Sequence, residues 1–297
     1  MSSVEKPCVG FVGLGKMGMP MARQLVANGY TVYGCDYSPE ATRRAVEKIP
    51  GAHPASFDTI AKQCHIIILM LPDSTSVEAV LFGSDPPGLA SQVARGTIII
   101  DMSSSDPSVT RAFGEKLAEI GVGLVDAPVS GGVKRAVSGT LSIMVGGNDD
   151  SIAPIHGLLS AMGSTITRTG PLGSAHAMKA LNNYVSAAGL VAACEALRIG
   201  QAFGLEPENI VAILNSSTGK NNSTENKLSQ FVVSRKFDSG FSLGLMKKDL
   251  SIALGLAKEM HIPTAIGDSV LDAWRAAEER FGKGADHTEI YKILEED

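Results

Sequence analysis

The stretch Cys8-Val-Gly-Phe-Val-Gly13-Leu-Gly15-Lys-Met-Gly18 decides the architecture of the first half of the chain. Its opening apolar run, 8–12, reads as a buried strand, and residues 17–28 follow with helical periodicity. The three glycines of the turn suit different tasks. Gly13 permits a tight turn, Gly15 lets a phosphate approach the backbone, and Gly18 lets helix pack closely on strand. The backbone of Gly13, Leu14, Gly15, Lys16, Met17 and Gly18, with the positive end of the helix, then faces a pyrophosphate. A second strand, 31–35, ends at Asp36, 23 positions after Gly13. A carboxylate at about that spacing takes the ribose hydroxyls of NAD and repels a 2′-phosphate. Arg43 and Arg44 on the next helical segment keep NADP as the alternative; as a pair they also suit a solvated helix face.

Outward from this turn, Val- and Ile-rich runs at 66–70, 97–101, 124–126, 141–145 and 165–168 alternate with helical windows at 39–48, 74–81, 107–120 and 151–162. That alternation marks a parallel sheet with crossover helices. Beyond residue 173 the strand-like runs stop. Helical windows follow at 174–203, 207–215, 224–233, 241–260, 265–281 and 288–294. The expected fold is α/β: an N-terminal Rossmann domain over 1–173, with a doubly wound, mostly parallel sheet, and an all-α C-terminal domain over 174–297. The two are joined by one long helix, about 45 Å at 1.5 Å per residue.

Composition narrows the function classes. At 297 residues, 44% hydrophobic and 19% charged, the chain has room for more than one core. A net charge of −5 without any Lys/Arg cluster argues against a nucleic-acid surface. The most apolar segment, 174–203, contains Lys179, Asn182, Asn183, Glu195 and Arg198, which a membrane span rarely tolerates. The N-terminus lacks the pattern of a secretory leader, so a cytoplasmic protein is expected. Cys8, Cys35, Cys64 and Cys194 lie apart in or beside apolar runs and read as buried free thiols. The six His residues show no ligand spacing, so no catalytic metal is indicated.

Further blocks carry a more specific signal: Met70-Leu-Pro72, Asp101-Met-Ser-Ser104, Asp126-Ala-Pro-Val-Ser-Gly-Gly132, Gly139-Thr-Leu-Ser-Ile-Met-Val-Gly-Gly147, Lys179-Ala-Leu-Asn-Asn183 and Lys248-Asp-Leu250. In this order, behind the glycine turn, they resemble the β-hydroxyacid dehydrogenases, typified by 3-hydroxyisobutyrate dehydrogenase and tartronate semialdehyde reductase. The resemblance implies reversible hydride transfer between a nicotinamide cofactor and a small 3-hydroxy acid or its semialdehyde, of 3-hydroxyisobutyrate, glycerate or threonate type. It implies cofactor contacts at Leu71, Pro72, Ser76, Thr97 and Lys248. Ser130, Gly131 and Gly132 correspond to the loop holding the substrate carboxylate; successive amides around glycines do make an anion-binding concavity. Lys179 matches the catalytic lysine, and Asn183, one turn later on the same helix face, orients substrate or ammonium. Burial at a domain junction would lower the pKa of such a lysine and suit it to proton exchange with the hydroxyl.

Rival readings are weaker. 6-Phosphogluconate dehydrogenases are much longer and carry His where this chain has Asn182, and imine reductases replace the lysine. A non-catalytic nucleotide-binding relative would have lost Lys179. Two departures from the family pattern stand out. Ala175 replaces a common glycine, and Asn221 or Asn222 replaces the aromatic residue of 3-hydroxyisobutyrate dehydrogenases, pointing to a more polar substrate. The apolar long helix and the Ala/Gly-rich C-terminal half suggest a homodimer or homotetramer.

Overall fold

Strands made largely of Val, Ile and Leu form the middle of the first half: β1 (Val9–Val12), β4 (Ile66–Leu69), β5 (Ile98–Asp101) and β6 (Gly123–Asp126). With β2 (Val32–Cys35) and β3 (Ala52–Pro54) they pair in the order β3-β2-β1-β4-β5-β6, all parallel. This is the doubly wound order, reversing direction between β1 and β4, where such sheets bind nucleotides at their carboxyl ends. Past β6, β8 (Leu141–Gly146) runs antiparallel to both β6 and the short β7 (Val129–Ser130), and β9 (Gly163–Gly170) runs parallel to β8.

The central runs are apolar throughout because both sheet faces are covered. Ile66 and Ile68 join Val9, Phe11 and Ile100 on the side of Met21 and Leu25. Ile67 and Leu69 join Val12 and Ile99 on the side of Ile60 and Leu117. The flanking helices are α1 (Gly18–Ala27), α2 (Pro39–Val46), α3 (Phe57–Gln63), α4 (Ser74–Phe82), α5 (Pro107–Glu119), α6 (Gly132–Ser138), α7 (Asp149–Ile152) and α8 (His156–Ser160). The sequence reading had no β3, α3, β7 or α6, which are short and carry little periodicity. It also drew one helix over 151–162. Pro154 lacks an amide and cannot continue a helix, and a 3₁₀ turn, Ala153–Ile155, separates α7 from α8 there.

The computed structural model describes residues 6–295, so the reading of the extreme N-terminus falls largely outside the described residues. The chain divides into two compact units, one ending at Lys179 and one beginning at Ala180. The division lies inside α9 (Ser174–Phe203). In the second unit α10 (Pro207–Ser216), a π-helix (Thr224–Val233), α11 (Leu243–Glu259), α12 (Ala265–Phe281) and a 3₁₀ segment (His287–Glu295) surround a core of Leu190, Leu197, Leu228, Leu250, Trp274 and Tyr291. Among the described residues no helix is long and apolar enough to cross a membrane.

The start of α9 is secured from the sheet. A helix N-terminus leaves amides without partners, and the fully buried Asp126 at the end of β6 takes three of them. Its Oδ1 accepts from Gly173 N at 2.9 Å, and its Oδ2 from Ala175 N at 2.8 Å and His176 N at 2.9 Å. Ala175 is itself fully buried, so the methyl group that replaces glycine is accommodated. Asp126→Ala strands those three amides and is expected to cost at least about 3 kcal/mol, read as a lowered urea midpoint of the first unit. Asp126→Asn, which keeps one acceptor oxygen, should cost less.

Candidate active site

At the carboxyl ends of β1, β2, β4 and β5, neighbouring turns converge. Gly13 has φ +97°, and a Cβ there would lie 2.3 Å from the Met70 carbonyl oxygen. A Cβ on Gly18 would lie 1.8 Å from the Gly13 oxygen. Both glycines are therefore demanded by the protein's own packing. Gly15 is not: a Cβ there meets nothing within 4 Å, so its bare face looks onto space that a ligand group can enter. The helices α2, α3, α4 and α5 are capped by the side chains of Ser38, Ser56, Asp73 and Asp106, whereas α1 has no side-chain cap. Met19 N and Met21 N bond to Gly15 O and Met17 O and Pro20 has no amide hydrogen, so the donors left for an anion are the turn amides of Lys16, Met17 and Gly18.

Asp36 closes this turn from β2. Its Oδ2 accepts from Leu14 N at 2.8 Å and its Oδ1 from Tyr37 N at 2.7 Å. Each carboxylate oxygen keeps lone-pair capacity for a hydroxyl donor. The β4 turn lies against the glycine turn, with the Leu71 side chain near Gly13. Leu71 N donates to Ser103 Oγ at 2.9 Å, while Ser76 donates from both N and Oγ to Asp73 Oδ1 at 2.8 Å. Asp101 orders the β5 turn, accepting from Ser103 N and Ser105 Oγ.

Thr97 does not belong to this group, which corrects the sequence reading. It precedes β5, at the amino end of a parallel strand, with its amide bonded to Ala94 O. It is wholly buried, and its hydroxyl has no hydrogen-bond partner. The length of β5 separates it from the glycine turn. The hydroxyls that stand at the correct end are those of Ser103 and Ser104, inside a block the sequence had already singled out.

Lys179 and the Ser130-Gly131-Gly132 turn do come together. The half-buried ammonium donates to Val129 O at 2.8 Å, one residue before Ser130. Gly131, with φ +124°, turns the chain from β7 into α6, and a Cβ there would collide with the Arg135 side chain. Upstream on α9, buried His176 bonds through Nδ1 to Thr110 Oγ1 at 2.9 Å, and its Nε2 lies 3.8 Å from Asp101 Oδ2. Neither His176 nor the capping Asp126 was picked out from sequence as a position that matters to the site.

In the second unit, buried Asn183 donates from Nδ2 to Asp249 Oδ2 at 2.5 Å and accepts from Asn182 Nδ2 at 3.1 Å. Lys248 Nζ lies 3.4 Å from Asp249 Oδ1. Asp249 was missed although it sits within the Lys248-Asp-Leu250 block. Asn221 is occupied locally: its Oδ1 accepts from Ser223 N and Thr224 N at the start of the π-helix.

A doubly wound sheet with an uncapped glycine turn and a carboxylate closing the second strand defines a nicotinamide-dinucleotide-dependent oxidoreductase. Residues 8–170 match the NAD binding domain of 6-phosphogluconate dehydrogenase, and residues 173–294 match the NAD-binding domain of NADP-dependent 3-hydroxyisobutyrate dehydrogenase. The chain is 38% identical over 271 residues to 2-(hydroxymethyl)glutarate dehydrogenase of Eubacterium barkeri, covering 90% of this chain and 89% of that one. It is 33% identical over 303 residues to the mitochondrial 3-hydroxyisobutyrate dehydrogenase of Mus musculus, covering 100% and 89%. The structure of 3-hydroxyisobutyrate dehydrogenase from Mycobacterium tuberculosis with L-serine matches with a TM-score of 0.89 at 26% identity, covering 98% and 99%. The chain belongs to the β-hydroxyacid dehydrogenase family.

Two substitutions separate the role of Gly15 from that of Thr97. Gly15→Val should leave the melting temperature nearly unchanged yet weaken NADH binding by at least about tenfold, the cost of displacing a ligand group that has no room to shift. Thr97→Val, which replaces an orphan hydroxyl by a methyl, should leave NADH affinity unaltered in the same fluorescence titration.

Proposed function

We propose that the enzyme interconverts a small 3-hydroxy acid and its semialdehyde, with Lys179 handling the hydroxyl proton and the Ser130-Gly131-Gly132 turn holding the carboxylate. The observation that carries this reading is the Lys179 hydrogen bond to Val129 O, which sets the ammonium beside that turn. The nicotinamide ring supplies or takes the hydride. The oxygen of the reacting carbon then needs a proton partner. In reduction the Lys179 ammonium donates to it, and in oxidation the neutral amine accepts from the hydroxyl. Asn183, oriented by Asp249, presents its remaining amide hydrogen to the substrate.

The turn from Gly13 to Gly18 takes the pyrophosphate on the open face of Gly15 and the amides of Lys16, Met17 and Gly18. Asp36 takes the ribose hydroxyls, which favours NAD over NADP. Leu71, Pro72 and Ser76 complete the cofactor contacts of the first unit, with Ser103 and Ser104 in the place first given to Thr97. The enzyme works as a homodimer or homotetramer. Val185, Ile199 and Phe203 are 69%, 70% and 84% exposed on one side of α9, at spacings that form a single apolar stripe. Such a stripe is buried most simply against a second copy of itself.

Lys179→Ala is expected to lower kcat by at least about a hundredfold while the protein stays folded and binds NADH. Lys179→Arg should restore little, because guanidinium keeps its proton. Retention of more than about a tenth of wild-type kcat in the alanine variant would remove this lysine from the chemistry. Asp36→Ser should narrow or reverse the NADH preference in kcat/KM; a wild-type enzyme that already favours NADPH would sink the role given to Asp36.

A further inference from the structure

Beneath the start of α9 the first unit buries two carboxylates side by side. Asp101 and Asp126 are register partners on the parallel strands β5 and β6, whose backbones run about 4.8 Å apart, and both side chains are withdrawn from water. Their hydrogen-bond donors are all neutral. Asp101 accepts from Ser103 N and Ser105 Oγ, and Asp126 from the amides of Gly173, Ala175 and His176. Such donors fill lone pairs but leave two like charges adjacent in a dry interior, where a counter-charge is normally supplied. Among the described residues neither carboxylate forms an ion pair with a lysine or an arginine. The basic group within 4.0 Å of both is the buried imidazole of His176.

The bonds of that ring place its hydrogens. Thr110 Oγ1 donates its single hydrogen to Asp106 O at 2.9 Å, so it accepts from His176 Nδ1, also at 2.9 Å. Nε2 is buried without a hydrogen-bond partner. Asp101 Oδ2 lies 3.8 Å from Nε2, and Asp126 Oδ2 lies 4.0 Å from Nδ1. A bare lone pair on Nε2 would set one negative centre against another, whereas an N–H turns its positive end to the carboxylate. The other charged groups at this end of α5 are engaged elsewhere. Asp106 caps α5 through Ser108 N and Val109 N, and the exposed Arg111 donates to Leu172 O.

We propose that His176 is an imidazolium, the shared counter-ion of Asp101 and Asp126, and that through this charge it is a positioning residue for Lys179. This rests on the reading of Lys179 as the proton-handling group. Lys179 stands three residues after His176 on α9, on the adjoining turn of the same face, with its ammonium held at Val129 O. The imidazolium offsets part of the negative charge beneath the helix. Lys179 can then release its proton more readily, as oxidation of a hydroxyl requires. His176 itself touches neither substrate nor cofactor.

Nitrogen NMR on isotopically labelled wild-type enzyme with NADH bound, assigned through the backbone, tests the charge without any variant. At about pH 7.5, where a free histidine is mostly neutral, both ring nitrogens of His176 should read as protonated. The pattern of a neutral tautomer overturns the proposal. His176→Asn, which keeps a donor for Thr110 but carries no charge, tests the consequence, with His176→Gln as the second variant should the first not fold. In the folded variant, the limb of kcat/KM for 3-hydroxyisobutyrate oxidation that rises with pH should move up by at least about half a pH unit, because Lys179 then feels both carboxylates uncompensated. Activity that falls by the same factor at every pH, with the limb in place, marks a purely structural histidine and overturns the positioning role. If no 3-hydroxy acid is turned over, the reading of Lys179 fails by itself, and the nitrogen pattern still decides whether His176 is the counter-ion.

Discussion

The carboxylate of Asp126 is the interaction on which the start of α9, and the placing of what it carries, depends. It is wholly buried, yet three backbone amides at the start of α9 point at its two oxygens. A buried carboxylate is tolerable only with such a full set of donors. The same short segment that carries it continues through Val129, whose carbonyl holds Lys179, into the Ser130-Gly131-Gly132 turn. One strand end thus fixes the helix, the ammonium on its second turn and the loop beside it. Distances among these groups are set by backbone geometry, which is stiffer than any pairing of long side chains.

The cofactor end follows a different logic, in which something is withheld. Neighbouring helices are capped by Ser or Asp, and α1 is not. Gly15 faces open space while Gly13 and Gly18 are pressed against backbone atoms. A fold with every other helix start in the sheet's central turns satisfied has left one set of donors for an anion to complete. An anionic group seated there would act as the missing cap. Because only the folded chain offers that seat, binding stabilises the fold by mass action.

Much of this was legible in the sequence because it is written in local pattern. The buried runs at β1, β4 and β5 are continuous, the glycine spacing is tied to the strand before it, and α9 is long enough to override local noise. The parts that were missed depend on contacts far apart in the chain. Asp126 meets α9 across 47 to 50 residues, and His176 meets Thr110 across 66. Asn183 meets Asp249 across the same separation of 66. No periodicity announces such pairs. Thr97 failed for a related reason: a residue's place in a block does not say which end of a strand it occupies, and in a parallel sheet the two ends have opposite fates.

One partner of Lys179 is a main-chain oxygen, and that has a consequence for how its aim can be lost. An acceptor supplied by a side chain can be erased by one nucleotide change. The carbonyl of residue 129 survives any substitution there that leaves β7 in register with β8, since the Val129↔Ile143 pairing, not the valine itself, aims it. The aim of the Lys179 ammonium is thus set through strand pairing rather than by the side chain at position 129.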